Sequence, residues 1–215
     1  MHRYYYMARL FWRVWFTLFT HRQVKGKENI PRKGALLIVV NHVTAADPPV
    51  IQVSINRKLV FMAKAELFRS RFRAYFLSRM GTFPVRQGQP DLKALRLANQ
   101  LLAKGLALVV FPEGRSSYNG KLQLALPGSA LIAARNGVLI LPVAITGTQK
   151  IRRKAWLFQL FHRPRITVNI GHPFHLPPAS NRLTKAELAE RAHLIMSRIA
   201  GLLPREYQGY YTYEG

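Results

Sequence analysis

Apolar residues along the chain form two alternating kinds of pattern. Runs of consecutive apolar residues, typical of strands buried on both faces, predict strands at 34–40, 59–63, 106–111, 138–146 and 165–170. Apolar residues spaced three or four apart predict helices at 47–55, 66–80, 90–104 and 128–136. A capping box, Thr184 followed by Glu187, opens a last helix that ends at about residue 203. This alternation predicts an α/β fold with a mostly parallel central sheet flanked by helices.

The N-terminal segment contains a further helical pattern, at 4–20, whose polar side is narrow. Arg9, Arg13 and Thr17 share that side, and most of the other positions are aromatic or aliphatic. A broad aromatic face with a basic edge is typical of an amphipathic helix at a membrane surface, although a helix packed on the protein's own core would show the same pattern. We therefore predict an N-terminal interfacial helix in 1–22, one globular domain in 23–205 and a C-terminal tail in 206–215.

No segment of the sequence predicts a transmembrane helix. The uncharged run at 14–20 is far shorter than the roughly 20 apolar residues that a bilayer requires. The same segment is broken by arginines, and no small-residue cleavage site follows it, so we predict no cleaved signal peptide.

The charge of the chain is strongly unbalanced. Its 215 residues carry 33 Lys and Arg against 9 Asp and Glu, which gives a formal net charge of +24. The electrostatic field of such a charge attracts polyanions, whether nucleic acid, an anionic lipid surface or an acidic protein. The chain contains no cysteine, which excludes disulfides, thiolate metal sites and a cysteine nucleophile.

A histidine and an aspartate follow the first predicted buried strand. His42 and Asp47 have four residues between them, in a chain with only two aspartates. A carboxylate close to an imidazole holds the ring in one tautomer and stabilises its cation, which makes the histidine a general base. Plainer interpretations exist: Asp47 precedes two prolines and suits a helix N-cap, and His42 suits a neutral buried histidine.

A second polar loop follows another predicted strand, about 70 residues later. There Glu113 stands between Pro112 and Gly114, and the glycine allows a ligand to approach the backbone closely. The carboxyl ends of parallel strands lie at one edge of a sheet, where α/β proteins bind ligands. We therefore expect Glu113 to share a pocket with His42 and Asp47, although an ordinary turn carboxylate would also fit the sequence.

Three cations near these loops are candidate phosphate ligands. Arg86 and Arg115 carry guanidinium groups that can bind a phosphate through two hydrogen bonds, and Lys64 is a weaker candidate at a strand end. We predict no metal site, because His162, His172 and His175 have no carboxylate or cysteine near them in the sequence. The sequence also lacks the glycine-rich and nucleophile-elbow motifs of nucleotide-binding proteins and serine hydrolases.

Taken together, four blocks of the sequence resemble the glycerolipid acyltransferase family, of which the bacterial 1-acyl-glycerol-3-phosphate acyltransferases are typical. In order, they are the His-x4-Asp block at 41–47, a second block at 81–86, a Phe-Pro-Glu-Gly block at 111–117 and a fourth at 141–147. The resemblance covers about residues 25–178, and the combination is more specific than any single block. Two departures are visible: Thr44 stands where the family usually has serine, and Arg115 lies one position early.

The resemblance implies transfer of an acyl group from a thioester to a lipid hydroxyl, with His42 as the base and Asp47 as its orienting acid. It implies that Glu113 and Gly114 bind the glycerol part of the acceptor, and that Arg86 and Arg115, with Lys64, bind its phosphate. The implied partners are acyl-CoA or acyl carrier protein, a lysophospholipid and an anionic membrane surface, with peripheral attachment to the cytoplasmic face of the cell membrane. No cofactor is implied.

Alternatives remain open on the sequence alone. Within the family, the acceptor could be glycerol 3-phosphate or a lyso-aminolipid. In another class, the charge would suit a basic nucleic-acid-binding module, but the basic residues are widely spread and no nucleic-acid-binding motif is present. Backbone N–H groups at the helix start after Asp47, or at Gly114, are both candidates to stabilise an oxyanion.

Overall fold

A computed structural model describes residues 3–88, 91–151, 163–178 and 183–211. Its centre is a seven-stranded sheet in the order β1-β7-β6-β2-β5-β3-β4. The strands are β1 His21–Lys25, β2 Leu36–Val40, β3 Leu59–Lys64, β4 Thr82–Val85, β5 Ala107–Val110, β6 Leu139–Thr146 and β7 Arg165–Ile170. The helices in the described ranges are α1 Arg3–Phe19, α2 Asp47–Ser54, α3 Arg71–Arg79, α4 Leu92–Ala103, α5 Gly128–Asn136 and α6 Lys185–Ala200.

The sheet is mostly parallel, which confirms the prediction from the sequence. Strands β6, β2, β5, β3 and β4 all run in one direction, and β1 and β7 run in the other, so that only the β6–β7 pair is antiparallel. The carboxyl ends of five strands therefore meet at one edge of the sheet. The loops that carry the predicted site residues all begin at that edge.

Both faces of the sheet are covered by helices, as a parallel sheet requires. Helices α4, α5 and α6 pack on one face, where small residues such as Ala98, Ala130 and Ala200 allow close approach. Helices α1 and α2 pack on the other face through Phe16, Val50 and Ile51. All five residues of β2 are completely buried between these layers, which accounts for the uninterrupted apolar run in the sequence.

Two strands were not predicted by the sequence, and both are edge strands. In β1 only Val24 is aliphatic, and β4 includes Pro84, which normally argues against a strand. Edge strands need only one hydrogen-bonded neighbour and expose one side, so they tolerate polar residues and proline. These are the positions where a search for continuous apolar runs fails.

The helix predicted at 66–80 is divided in the structure. A short 3-10 turn covers Ala65–Phe68, and α3 begins only at Arg71, after Ser70 adopts an extended conformation. The prediction of one continuous helix was therefore wrong. Serine favours the position before a helix, because its side chain competes with helical backbone hydrogen bonds, and this preference could have indicated the break.

Helix α1 has one face that packs on the core and an opposite face that is exposed and apolar. The structure is therefore compatible with both interpretations of its sequence, packing on the protein and contact with a membrane surface. Tyr5 and Phe16 are buried, and the Arg9 guanidinium donates to the Ile55 carbonyl oxygen at 3.0 Å, which ties α1 to the end of α2. The opposite face exposes large apolar side chains at helical spacing, namely Met7, Leu10, Phe11, Val14 and Leu18. In the described residues, no helix combines the length and apolar character that crossing a bilayer would take.

The described part of the C-terminal tail packs against the loop that follows β5. The backbone N–H of Leu122 donates to the Tyr207 carbonyl oxygen, and the Tyr211 hydroxyl accepts a 3.0 Å hydrogen bond from the N–H of Ala125. Tyr211 is buried. The tail thus supports the loop that carries Glu113.

Candidate active site

Asp47 is the most completely satisfied polar side chain of the site. Its Oδ2 atom accepts hydrogen bonds from His42 Nδ1 at 2.8 Å and from the backbone N–H groups of Val43 and Thr44 at 2.6 and 2.8 Å. Its Oδ1 atom accepts a bond from the Thr148 hydroxyl at 2.6 Å. The carboxylate is fully buried, and these four donors supply the stabilisation that a buried negative charge needs.

The orientation of His42 follows from this contact. With Nδ1 directed at a carboxylate, the proton of the neutral ring resides on Nδ1, and Nε2 carries the lone pair. The ring lies against that of Phe111, with 4.4 Å between centroids and the planes tilted by 31°, and 18% of the His42 side chain is exposed. The imidazole is therefore held on one side and accessible on the other, as a general base requires.

Asp47 does not act as a helix N-cap. Helix α2 begins at Asp47, the capping position belongs to Ala46, and no side chain there accepts a hydrogen bond from the first turn. The carboxylate instead turns back towards the loop that contains His42. Pro48 and Pro49 lie in the first turn of α2, and their fixed φ angles suit the start of a helix. Neither has an N–H group, so this turn has fewer donors that a capping side chain would have to satisfy.

Glu113 lies beside this pair and is also buried. Its Oε1 atom accepts a hydrogen bond from the backbone N–H of His42 at 2.8 Å, and Oε2 accepts one from the backbone N–H of Gln123 at 2.9 Å. Burial raises the pKa of Glu113 to about 7, and the two backbone hydrogen bonds oppose that rise. Both oxygens bind backbone groups, so the carboxylate holds two loops together.

Two residues that support the pair were not predicted. Thr148, two positions after the end of β6, binds Asp47. It lies one position beyond the fourth sequence block, and a hydroxyl this close to a strand end was the available signal. Asn41 makes a pair of hydrogen bonds with the backbone of Ile145, at 2.7 and 2.9 Å, and so fixes the end of β2 against β6. Its position immediately before the histidine could have indicated this role.

Gly114 permits close contact between protein segments. Its φ is 68°, and a Cβ atom would lie 2.6 Å from a methyl group of Leu126. Its carbonyl oxygen accepts a 2.7 Å hydrogen bond from the side chain of Gln87. Because Arg86 precedes Gln87 and Arg115 follows Gly114, this bond brings the loops that carry the two predicted phosphate ligands into contact.

The three predicted phosphate ligands are all exposed at this edge of the sheet. Lys64 pairs in the sheet with Val85, so it lies next to the start of the Arg86 loop. Asp91 accepts a hydrogen bond from the backbone N–H of Arg86 at 2.9 Å and caps α4 through the N–H of Ala94 at 3.0 Å. The backbone bonds from Ala94 and Arg86 hold the pKa of Asp91 below its usual value. The chain thus uses each of its aspartates to fix one loop of the site.

Both backbone groups proposed as oxyanion donors are already used in this structure. The N–H of Gly114 donates to the Phe111 carbonyl oxygen at 3.0 Å. The N–H of Asp47 donates to Thr44, and the two residues that follow it are prolines without an N–H. Among the described residues, no group of three His, Cys, Asp or Glu side chains is arranged to hold a metal ion.

Much of the sequence matches the model of a known protein family. The acyltransferase family model matches residues 21–146, which is more than half of the 215 residues. This chain belongs to the acyltransferase family. The matched range includes β1 to β6 and therefore His42, Asp47, Glu113 and the three candidate cations.

Acyltransferases of known name resemble this family member over most of its length. The 1-acyl-sn-glycerol-3-phosphate acyltransferase of Bacillus subtilis is 27% identical over 182 residues, which cover 84% of this chain and 87% of the relative. The chloroplast 1-acyl-sn-glycerol-3-phosphate acyltransferase of Arabidopsis thaliana is 28% identical over 149 residues, or 68% of this chain. The alignment spans 42% of that plant protein, so this chain matches under half of its length.

A solved acyltransferase structure has the same fold. The 1-acyl-sn-glycerophosphate acyltransferase PlsC of Thermotoga maritima superposes with a TM-score of 0.68 and is 27% identical in sequence. The superposition covers 92% of this chain and 78% of that one. The α/β architecture is thus shared with a member of the family whose structure is known.

A relative with another acceptor in its name is also similar. The lyso-ornithine lipid O-acyltransferase of Pseudomonas aeruginosa is 32% identical over 127 residues, which cover 58% of this chain and 47% of the relative. Family membership alone therefore does not identify the acceptor, which depends on the residues of the site.

Proposed function

We propose that this acyltransferase moves an acyl group from a thioester, acyl-CoA or acyl carrier protein, to the free hydroxyl of a lysophospholipid. The acceptor we favour is 1-acyl-glycerol-3-phosphate, which would give phosphatidate. The observation that carries the proposal is the 2.8 Å contact between His42 Nδ1 and Asp47 Oδ2, which leaves Nε2 of the ring as the accessible base.

The reaction follows from that geometry. His42 Nε2 takes the proton of the acceptor hydroxyl as its oxygen attacks the thioester carbonyl, and Asp47 stabilises the imidazolium that forms. The carbon–sulfur bond breaks, and the thiolate leaves with the electron pair. A thiol has a pKa of about 8.5, so the thiolate is a good leaving group, and the imidazolium returns the proton to it. The absence of cysteine from the chain agrees with direct transfer without a thioester on the enzyme.

The charge of the site supports a phosphate-bearing acceptor. Arg86, Arg115 and Lys64 are exposed at the same edge as His42, and Glu66 is the one acidic residue between Lys64 and Arg86 in the sequence. Arginine binds a phosphate through two parallel hydrogen bonds, and lysine binds it as a point charge. The names of the Bacillus and Thermotoga relatives point to the same substrate class, while the Pseudomonas relative keeps a lyso-aminolipid as the competing acceptor.

The membrane is part of the proposal, because the acceptor is a lipid. The exposed apolar face of α1 would insert at the surface of the cytoplasmic leaflet, with Arg3 and Arg13 near the headgroups. This arrangement accounts for the net charge without a nucleic-acid partner. Acyl-CoA and acyl carrier protein are both anionic, so the same field would attract either donor.

A transfer assay with the full chain tests the proposal. Acyl-CoA and acyl carrier protein are each offered with lysophosphatidate, glycerol 3-phosphate and a lyso-ornithine lipid, and products are separated by chromatography. We expect phosphatidate from lysophosphatidate to form fastest with at least one donor. Faster transfer to the lyso-ornithine lipid would overturn the proposed acceptor, and no transfer in any combination would overturn the proposed activity.

A further inference from the structure

Helix α3 is poorly covered by the rest of the protein. None of its residues, Arg71–Arg79, is buried, in contrast to every other helix described here. Phe72 is 80% exposed, Tyr75 54% and Phe76 51%. Short helices in water depend on burying an apolar face, so an uncovered one indicates that this face contacts a partner.

The exposed aromatic residues of α3 share one face. Phe72, Tyr75 and Phe76 are at positions i, i+3 and i+4, and Arg79 continues the face at i+7. Arg71 and Arg73 lie about 100° to either side of Phe72 around the helix axis. An aromatic strip flanked by arginines can insert its rings while the guanidinium groups extend to the polar layer.

This surface is joined to the exposed face of α1. The guanidinium carbon of Arg79 lies 4.7 Å from the ring centroid of Tyr75 on α3 and 5.4 Å from that of Tyr4 on α1. Tyr4 is itself half exposed, and the apolar strip of α1 continues from it through Met7 and Leu10. The two helices therefore present neighbouring apolar surfaces linked by one cation.

The charge around α3 selects an anionic occupant. Between residues 57 and 88 Glu66 is the sole acidic residue, and eight cations accompany it: Arg57, Lys58, Lys64, Arg69, Arg71, Arg73, Arg79 and Arg86. An acidic protein would satisfy the cations but gives no reason for an aromatic strip continued on a second helix. An anionic bilayer surface satisfies both features. Aromatic side chains partition to the headgroup boundary, and each cation there gains a favourable electrostatic interaction with the anionic lipids.

We infer that α3 is a second membrane-docking element, which binds an anionic lipid surface together with α1. Two neighbouring contacts constrain the orientation of the protein on the bilayer more tightly than the apolar strip of α1 would alone. Helix α3 leads through Gly81 directly into β4 and the Arg86 loop. Docking of α3 would therefore hold Arg86 close to the headgroup layer; only this last step rests on the proposed function.

Vesicle binding by matched variants tests the inference. Phe72→Ser/Phe76→Ser is compared with Leu92→Ser/Leu97→Ser, which removes two exposed leucines from α4. Arg71→Gln/Arg73→Gln is compared with Lys93→Gln/Arg96→Gln, which removes the same charge from exposed positions of α4. Dissociation constants are measured by flotation with vesicles of phosphatidylcholine and with vesicles containing equal amounts of phosphatidylcholine and phosphatidylglycerol.

We expect the phenylalanine pair to weaken binding at least about tenfold on both vesicle types. Each arginine should contribute about fivefold to binding on an anionic surface, so the arginine pair should weaken binding to the anionic vesicles by roughly thirtyfold. Binding to the neutral vesicles should change little. Both α4 controls should stay close to wild type. If the phenylalanine pair lowers the melting temperature, the arginine pair carries the test, since its residues are exposed and make no core contact.

Equal binding by the α3 variants and their α4 controls would overturn the inference. So would normal vesicle binding combined with a selective loss of transfer from acyl carrier protein, because that result would make α3 a protein-docking site. Transfer to a short-chain, water-soluble lysophosphatidate without vesicles separates this inference from the proposed function. Failure of the wild-type protein in that assay contradicts the function, whereas the vesicle result stands independently.

Discussion

The carboxylate of Glu113 accepts a 2.8 Å hydrogen bond from the backbone N–H of His42, across a sequence separation of 71 residues. Its other oxygen binds the backbone of Gln123, so one buried side chain connects the loop that contains His42, the end of β5 and the loop that follows. The resemblance implied that Glu113 binds the glycerol of the acceptor. Each carboxylate oxygen accepts one backbone hydrogen bond, so we propose that Glu113 also positions the loop of His42, and its contact with the glycerol stays a prediction.

Glu113 should make the stability of the protein depend on pH. Its pKa is raised from the ordinary value of 4.5 to about 7 in the folded chain, so the folded state binds more protons than the unfolded state between these values. The stability that this carboxyl contributes therefore falls as the pH rises through that interval, by up to about 3 kcal/mol. Glu113→Gln removes this titration.

Urea unfolding of the wild type and of Glu113→Gln, below and above that interval, measures the effect. We expect the free energy of unfolding of the wild type, relative to the variant, to decline with rising pH. Taking the difference between the two proteins removes the titration of all other groups. A difference that stays constant across the interval would contradict the raised pKa.

Replacing Asp47 should damage catalysis more than substrate binding. In Asp47→Asn the amide cannot accept every bond that Oδ2 accepts, from His42 Nδ1, Val43 and Thr44, and it favours the wrong imidazole tautomer. We expect kcat to fall by about 10²–10⁴ with little change in the KM for the acceptor. Asp91→Asn is the matched control, since it alters the only other aspartate and should act mainly on that KM through the Arg86 loop. The reverse pattern in the two variants would contradict these roles.

Thr148 should act through Asp47 and not on the substrate directly. Thr148→Val keeps the shape but leaves Oδ1 of a fully buried carboxylate without its 2.6 Å donor, which costs about 1–3 kcal/mol of stability. We expect a lower kcat, with the pH profile of the reaction displaced because the carboxylate that faces His42 is perturbed. Thr148→Ser restores the hydroxyl and should recover most of the activity. An inactive serine variant, or an unchanged valine variant, would exclude this positioning role.

The membrane role of α1 is best tested by substitution, because deletion of the helix would also remove Phe16 and Tyr5 from the core. Leu10→Ser/Leu18→Ser changes only the exposed face. We expect at least about tenfold weaker binding to anionic vesicles, with unchanged thermal stability. Leu92→Ser/Leu97→Ser serves again as the control. Binding that matches the control would show that the exposed face of α1 has no part in membrane attachment.

The sequence predicted the central strands well, because complete burial leaves an uninterrupted apolar run such as that of β2. It missed β1 and β4, which as edge strands carry polar residues and a proline that no local pattern explains. It also joined the 3-10 turn at Ala65–Phe68 to α3, since helical spacing continues across Ser70.

The sequence was enough to name candidate residues for the site but not their contacts. The spacing of His42 and Asp47 and the topology of the sheet were enough to expect a shared pocket with Glu113. The sequence could not show that Glu113 faces two backbone N–H groups, or that Asp47 turns away from its own helix. Such details depend on loop conformation, which is decided by contacts between distant residues such as Thr148 and Asp47.

The most direct test of the account is the acyl-transfer rate of His42→Ala, measured beside His172→Ala, which removes an exposed histidine outside the site. Circular dichroism and thermal unfolding establish that both variants are folded. We expect His42→Ala to lose about 10²–10⁴ in kcat while His172→Ala keeps the wild-type rate. Turnover by His42→Ala at the wild-type rate would contradict the assignment of this imidazole as the general base.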